Sequence, residues 1–336
     1  DGKGTLRKLD NAIPIHNQSS AIIARDFNKD GAVDLFISSR VEAMNYGAPA
    51  SSHVLYNTGD GHFSDVSNQV APTLNEIELI KPNTILLSAL QLKIQQKSYF
   101  EALSRKKITA LGFEFIKDSE GAFPAVRQLS EIAGTASILI ASEIMSITNR
   151  CNGLLLGNIS GVPPTEVVVI GAGVVGEFAT KSALGLGANV KVFDGSISKL
   201  RTLQANVGQR IYTSTMQPKN LMKALMRCDV AVGATKGKNR SPILVNEAMV
   251  ESMKQGAIVI DVSIDMGGCF ETSELTTHDN PTFEKHGVIH YCVPNIPARY
   301  SRTSSVSLSN IFTSYLLKIG EVGGLENAIR QDHGLK

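Results

Sequence analysis

The stretch from Glu166 to Asn189 limits what this chain can fold into more than any other. Val167 to Ile170 form a short apolar, β-branched run, the pattern of a strand buried on both faces. Gly171, Gly173 and Gly176 follow at G-x-G-x-x-G spacing, with Val174 and Val175 between them, and Glu177 to Leu186 read as a helix. Each glycine has its own task in a phosphate-binding turn. Gly171 allows the tight turn, Gly173 lets a pyrophosphate approach the backbone, and Gly176 lets helix and strand pack closely. The helix N-terminus then offers N–H groups and partial positive charge to the phosphates. A second strand, Asn189 to Phe193, ends in Asp194, about 20 residues downstream. A carboxylate there reads a ribose 2′-hydroxyl, which favours NAD over NADP.

Strand and helix patterns alternate on both sides of this fingerprint. Asn83 to Leu90 reads as a strand, Lys97 to Lys106 as a helix with Tyr99, Phe100 and Leu103 inward, and Ile108 to Ile116 as a strand. A long apolar helical face covers Leu129 to Met145, with Ser130 opening it, and a glycine- and proline-rich link spans Gly153 to Pro164. Beyond Asp194, strands are expected at 209–212, 229–234, 257–262 and 287–293. Helices are expected at 199–206, 221–226, 246–254 and 306–319. Such alternation specifies a doubly wound parallel sheet.

With 336 residues, two or more domains are expected. Net charge is +2 with scattered Lys and Arg, which gives no nucleic-acid or membrane-surface footprint, and no apolar run is long enough to span a bilayer. The chain begins at Asp1 rather than Met. Cys151, Cys228, Cys269 and Cys292 match no zinc or redox spacing and are expected as buried free thiols. His290, inside an apolar strand, is expected as a satisfied core histidine.

Residues 1–72 are different in character, rich in Asn, Asp, Gly and Ser, with short β-type runs at 20–24, 33–38 and 53–57. Asp26, Asn28, Asp30, Ala32 and Asp34 alternate around Gly31, an arrangement that wraps a hard cation such as calcium, although Ile37 stands where an EF-hand has its bidentate Glu. With the hairpin-like Leu55 to Val66, this stretch resembles the FG-GAP/VCBS repeat of extracellular β-propellers. A single repeat does not close a propeller. The alternative for the loop is a solvated Asx-rich turn.

From about residue 73 onward the chain resembles the alanine dehydrogenase family, which is related to the NAD-binding subunit of proton-translocating transhydrogenase. The motifs are Leu129-Ser-Glu-Ile-Ala-Gly134, Gly161-Val-Pro-Pro164, Gly171-Ala-Gly-Val-Val-Gly176, Asp261-Val-Ser-Ile-Asp265-Met-Gly-Gly-Cys-Phe-Glu271 and His290-Tyr-Cys-Val-Pro-Asn295-Ile-Pro297. The resemblance implies NAD-dependent oxidative deamination of L-alanine to pyruvate by a cytoplasmic homo-hexamer. It makes Asp265 a catalytic carboxylate, Asn295 a residue near cofactor and substrate, and Ser130 and Lys199 cofactor contacts. An N-cap for Ser130 and a solvated charge for Lys199 are the plain alternatives. Gln91 stands where the family has a catalytic histidine, and glutamine does not relay a proton near neutral pH. A transhydrogenase-type NAD(H)-binding subunit is the second reading, and a non-catalytic calcium-binding fusion the third.

The family's Arg- and Lys-bearing opening segment has no counterpart before residue 73. The expected organisation is therefore a β-rich fragment at 1–72, a truncated α/β substrate domain at 73–128, a Rossmann-type NAD-binding domain at 129–297, and a helix at 298–336 returning to the substrate domain. Val70 to Leu74 fits both the repeat's tail and the dehydrogenase's start, as expected of two joined gene fragments.

Overall fold

The computed structural model describes residues 19–25, 34–39, 53–57, 62–65, 80–90, 92, 97–146, 152–237, 240–332 and 334–335. Two compact units make up the chain, 1–113 and 114–336, a division that differs from the sequence boundaries at 72, 128 and 297.

In the first unit, β1 (Ser19–Arg25), β2 (Asp34–Ser39), β3 (His53–Asn57) and β4 (Phe63–Asp65) form an antiparallel meander in chain order, with Leu55 buried. A separate βαβ element follows. β5 (Ile85–Ser88) and β6 (Thr109–Gly112) pair in parallel and are linked by α1 (Lys97–Arg105). Ala102 and Leu103 of that helix are buried, and Leu86, Tyr99, Phe100, Ile108 and Ala110 pack against them. A parallel pair needs a crossover of this kind.

The second unit opens with α2 (Pro124–Met145), then β7 (Glu166–Ile170), α3 (Val174–Gly185), β8 (Asn189–Phe193), α4 (Ile197–Val207) and β9 (Tyr212–Ser214). It continues through α5 (Pro218–Leu225), β10 (Val230–Gly233), α6 (Glu247–Glu251), β11 (Ile258–Asp261), β12 (Thr282–Lys285) and β13 (Val288–Tyr291). α7 (Ser301–Glu321) and α8 (Leu325–Gln331) close it, with α7 packed on α2 and Lys117 donating to the Gly334 carbonyl.

The seven strands lie in the order β12-β13-β11-β10-β7-β8-β9, all parallel except the β12–β13 pair. The chain runs outward from β7 to β9, then returns to the other side through β10. The strand order therefore reverses between β7 and β10, where open α/β sheets bind ligands at their strand C-termini. Burial follows the pleat. Val167 and Val169 face one core, with α2 and α3, while Val168 and Ile170 face the other, with α5 and α6.

Several boundaries differ from expectation for local reasons. α2 begins at Pro124, a residue suited to a first helical turn, rather than at Leu129. α4 begins after Ser196, whose hydroxyl accepts from the Lys199 N–H, and ends before Gly208 in the left-handed region. The β9 strand lies at 212–214, and α8 and the antiparallel β12 are additions to the pattern read from sequence. β12 joins β13 through His286 and Gly287, both at positive φ, the backbone of a two-residue hairpin turn.

Candidate active site

The glycine turn joins β7 to α3 at the strand-order reversal. Gly171 has φ of 114°, and a Cβ there would run into the Ala234 carbonyl just past the end of β10. A Cβ on Gly176 would strike the Gly171 carbonyl. Both glycines are thus required by the protein itself, and Gly176→Ala is expected to cost about 1–3 kcal/mol by overpacking, read as a lowered Tm. Gly173 differs: its backbone is extended, and a Cβ there would meet open space. What its missing side chain leaves clear is the approach to the first turn of α3, where Val174 and Val175 are half-buried and no side chain caps the N–H groups. These residues fit a pyrophosphate.

Asp194 follows β8 and is buried, with one carboxylate oxygen accepting from the Ala172 N–H at 2.8 Å and the other from the Ser196 N–H at 2.7 Å. The carboxylate is thereby fastened onto the middle of the glycine turn. Lys199 is exposed in the first turn of α4. Ser130 lies inside α2, so the N-cap alternative is overturned. Its hydroxyl donates to the Val126 carbonyl at 2.7 Å, as mid-helix serines do. Sequence reasoning assigned no role to Gly134. A Cβ there would strike the Val175 carbonyl and come within 2.9 Å of Phe178, so α2 and α3 cross in direct backbone contact beside the glycine turn.

The second half of the site lies at the ends of β11 and β13. Asp265 sits in a 3-10 turn, Val262–Met266, directly after β11, and Asn295 precedes another, Ile296–Tyr300, shortly after β13. The Asn295 N–H donates to the Asp265 carboxylate at 2.9 Å. Asn295 holds φ of 52°, a left-handed conformation asparagine tolerates, and its side chain makes no capping bond to the following turn. Asp265 is solvent-accessible but set in a wall of packed protein. That desolvation pushes its carboxyl up to about 6, opposed by the Asn295 N–H and reinforced by the nearby charge of Asp261.

Thr235, after β10, bridges the two halves. Its N–H donates to the Ser263 hydroxyl at 2.9 Å, and its own hydroxyl lies 2.6 Å from that of Ser241. Its backbone also borders Gly171. No sequence motif marked it, because its role comes from strand adjacency.

His290 is fully buried, with Nδ1 3.0 Å from the Val288 carbonyl and Nε2 2.8 Å from the Thr272 hydroxyl. The carbonyl only accepts, so the proton belongs on Nδ1. Burial holds its pKa below the usual value. Stability therefore falls as pH drops through the ordinary histidine range, where the unfolded chain takes a proton that the folded one refuses. A 15N NMR titration is expected to show the neutral Nδ1–H tautomer throughout neutral pH. Cys228, Cys269 and Cys292 are buried and free, while Cys151 lies outside the described residues.

Gln91 also lies outside the described residues, as do Asp26, Asn28, Asp30 and Ala32. Asp34 opens β2. Among the described residues no cluster of His, Cys, Asp and Glu could hold a metal ion, and no helix is long and apolar enough to cross a membrane.

Residues 137–336 match the family described as alanine dehydrogenase/PNT, C-terminal domain. The chain belongs to the alanine dehydrogenase/PNT family. An alanine dehydrogenase of Methanococcus maripaludis is 39% identical over 267 residues, which are 79% of this chain and 71% of that protein. One from Mycolicibacterium smegmatis is 40% identical over 224 residues, 66% of this chain and 60% of that one. Among solved structures, an L-alanine dehydrogenase superposes with a TM-score of 0.72 at 33% identity, covering 77% of this chain and 72% of that one. A transhydrogenase from Sinorhizobium meliloti has a TM-score of 0.62 at 20% identity, covering 72% and 70%, and shares the fold. For the alanine dehydrogenase/PNT family member described here, membership fixes the kind of enzyme, an NAD-dependent oxidoreductase, around the two half-sites.

Proposed function

We propose that this chain carries out NAD-dependent oxidative deamination: L-alanine, NAD+ and water give pyruvate, ammonium, NADH and a proton. The observation that carries the reading is the meeting of Asp265 and Asn295 at the strand C-termini, on the same sheet end as the glycine turn. Bound NAD supplies the acceptor for the hydride leaving the substrate carbon. Gly173 and the first turn of α3 hold the pyrophosphate, with Val174 and Val175 contributing N–H groups, and Asp194 receives the ribose hydroxyl. Ser130 and Lys199 add cofactor contacts as the family resemblance implies.

Asp265 is the group that moves protons at the substrate amine and at the water that replaces it. With a pKa near 6, the carboxyl is poised to take and return a proton near neutral pH. Asn295 orients the substrate through its side-chain amide while its main chain steadies Asp265. Gln91 stands at the family's histidine position, and because glutamine does not relay a proton near neutral pH, proton transfer falls to Asp265.

The test is NADH formation that requires L-alanine, with ammonium released in equal amount. NADH binding without alanine-dependent reduction overturns this reading in favour of a transhydrogenase-type NAD(H)-binding role, the outcome that Gln91 favours. Calcium at Asp26, Asn28, Asp30, Ala32 and Asp34 is a separate reading of the first unit, and titration calorimetry with Asp30→Ala as control decides it.

A further inference from the structure

Asp265 stands on a loop that is tied from inside by another carboxylate. Asp261, the last residue of β11, is completely buried. One of its oxygens accepts from the Ser263 N–H at 3.0 Å, and the Cys269 thiol lies 3.7 Å from the same oxygen. The other accepts from the N–H groups of Cys269 at 2.9 Å and Phe270 at 3.3 Å, and from the Ser273 hydroxyl at 2.7 Å. Donors from both ends of the loop thus converge on one side chain, and no cation is among them. Burial pushes the Asp261 carboxyl above the ordinary aspartate value, and the four donors oppose that push. Backbone N–H groups only donate, so these bonds favour the charged form.

Glycines keep the space around this carboxylate clear. A Cβ on Gly233 would lie 2.7 Å from Asp261 Oδ1 and 2.6 Å from Cys269 Sγ, and one on Gly268 would lie 2.9 Å from Oδ2. A neighbouring strand and the loop itself are therefore shaped to this one group. We propose that Asp261 is a positioning residue: by closing the loop on itself, its carboxylate sets where Asp265 stands against the Asn295 N–H. The proposal rests on the reading of Asp265 as the catalytic carboxylate.

Asp261 also acts on Asp265 through its charge. The other titratable groups around it are the thiols of Cys269 and Cys292, both pushed up by burial and so neutral, Cys292 to about 12. Asp265 itself faces the Asn295 N–H and the charge of Asp261. On the outer side of the loop, Arg240 reaches the Gly267 carbonyl at 3.4 Å. Removing the Asp261 charge therefore makes Asp265 easier to ionise.

The test uses the full cofactor-free chain labelled with 13C-carboxyl aspartate, comparing the parent with Asp261→Asn by NMR titration, with NADH affinity and alanine turnover measured separately. Asp265 is expected to titrate near 6 in the parent and lower by about half a pH unit or more in the variant. The alanine-dependent kcat is expected to fall about tenfold from misplacement, with NADH affinity unchanged. A folded variant whose Asp265 midpoint stays where it was overturns the proposal. If the parent binds NADH but makes none from alanine, the functional reading fails while the titration still judges Asp261. Should Asp261→Asn not fold, Ser273→Ala removes one donor and keeps the charge. The Asn295 amide resonance, which reports the Asp265 contact, is then expected to shift, and an unmoved resonance overturns the proposal.

Discussion

Gly173→Val abolishes NADH binding and leaves the fold standing. Open space surrounds the position a Cβ would take, and the backbone there is extended, so valine fits the free protein. Its cost to stability is that of a poorer helix N-cap, at most about 1 kcal/mol, or a few degrees in Tm. With the cofactor present, the same side chain occupies the pyrophosphate path and removes charge-assisted bonds to the first turn of α3. Two such bonds are together worth about 3–6 kcal/mol, so affinity falls by at least about 100-fold. Fluorescence titration with NADH and a thermal melt separate the two effects. Gly176→Ala, measured beside it, loses stability instead. Unchanged NADH affinity in Gly173→Val removes the phosphate-cradle assignment.

Asp265→Asn lowers the alanine-dependent rate by about 10²- to 10⁴-fold, the span expected when a general acid–base group is lost. Asparagine keeps an oxygen to accept the Asn295 N–H, so the loop stays in place and NADH affinity is unchanged. The same substitution raises Tm at neutral pH. The carboxyl's folded pKa, about 6, lies above its ordinary value of 3.8, so the folded state holds its proton more tightly than the unfolded one. The stability linked to that proton is present at low pH and is lost as pH rises through 6. The gain from asparagine is therefore largest near neutral pH and vanishes near pH 4. Thermal melts across that range check the sign, and a Tm that falls at neutral pH refutes it.

What could be read in the sequence depended on how local the cause was. The positive φ of Gly171 and the close approach of Gly176 to its carbonyl are local to six residues, so the glycine spacing, read together with the strand ending in Asp194, identifies the turn. Asp194 ends an apolar strand at the expected distance from the glycines and was visible for that reason, whereas Asp265 was singled out through the family resemblance of its motif. Asp261 was not singled out, because its partners lie two to twelve residues away and converge only when the loop closes. Gly134 has the same difficulty: its reason is the Val175 carbonyl on another helix. Some missed boundaries did carry a local signal. Pro124 marks the start of α2, Ser196 caps α4, and His286-Gly287 reads as a hairpin turn between Phe283 and Val288. The closing α8 is short, and its register comes from packing that periodicity does not reveal.

Asp194 holds the Ala172 N–H before any ligand arrives. The entropy of shaping the phosphate loop is therefore spent when the chain folds, not when the nucleotide docks. Association then resembles a key entering a cut lock: its rate is set by encounter, and its temperature dependence is shallow. On the proposed function, selectivity between the oxidised and reduced dinucleotides then arises at the nicotinamide end, which that reading sets beside Asp265, since the adenosine half is the same in both.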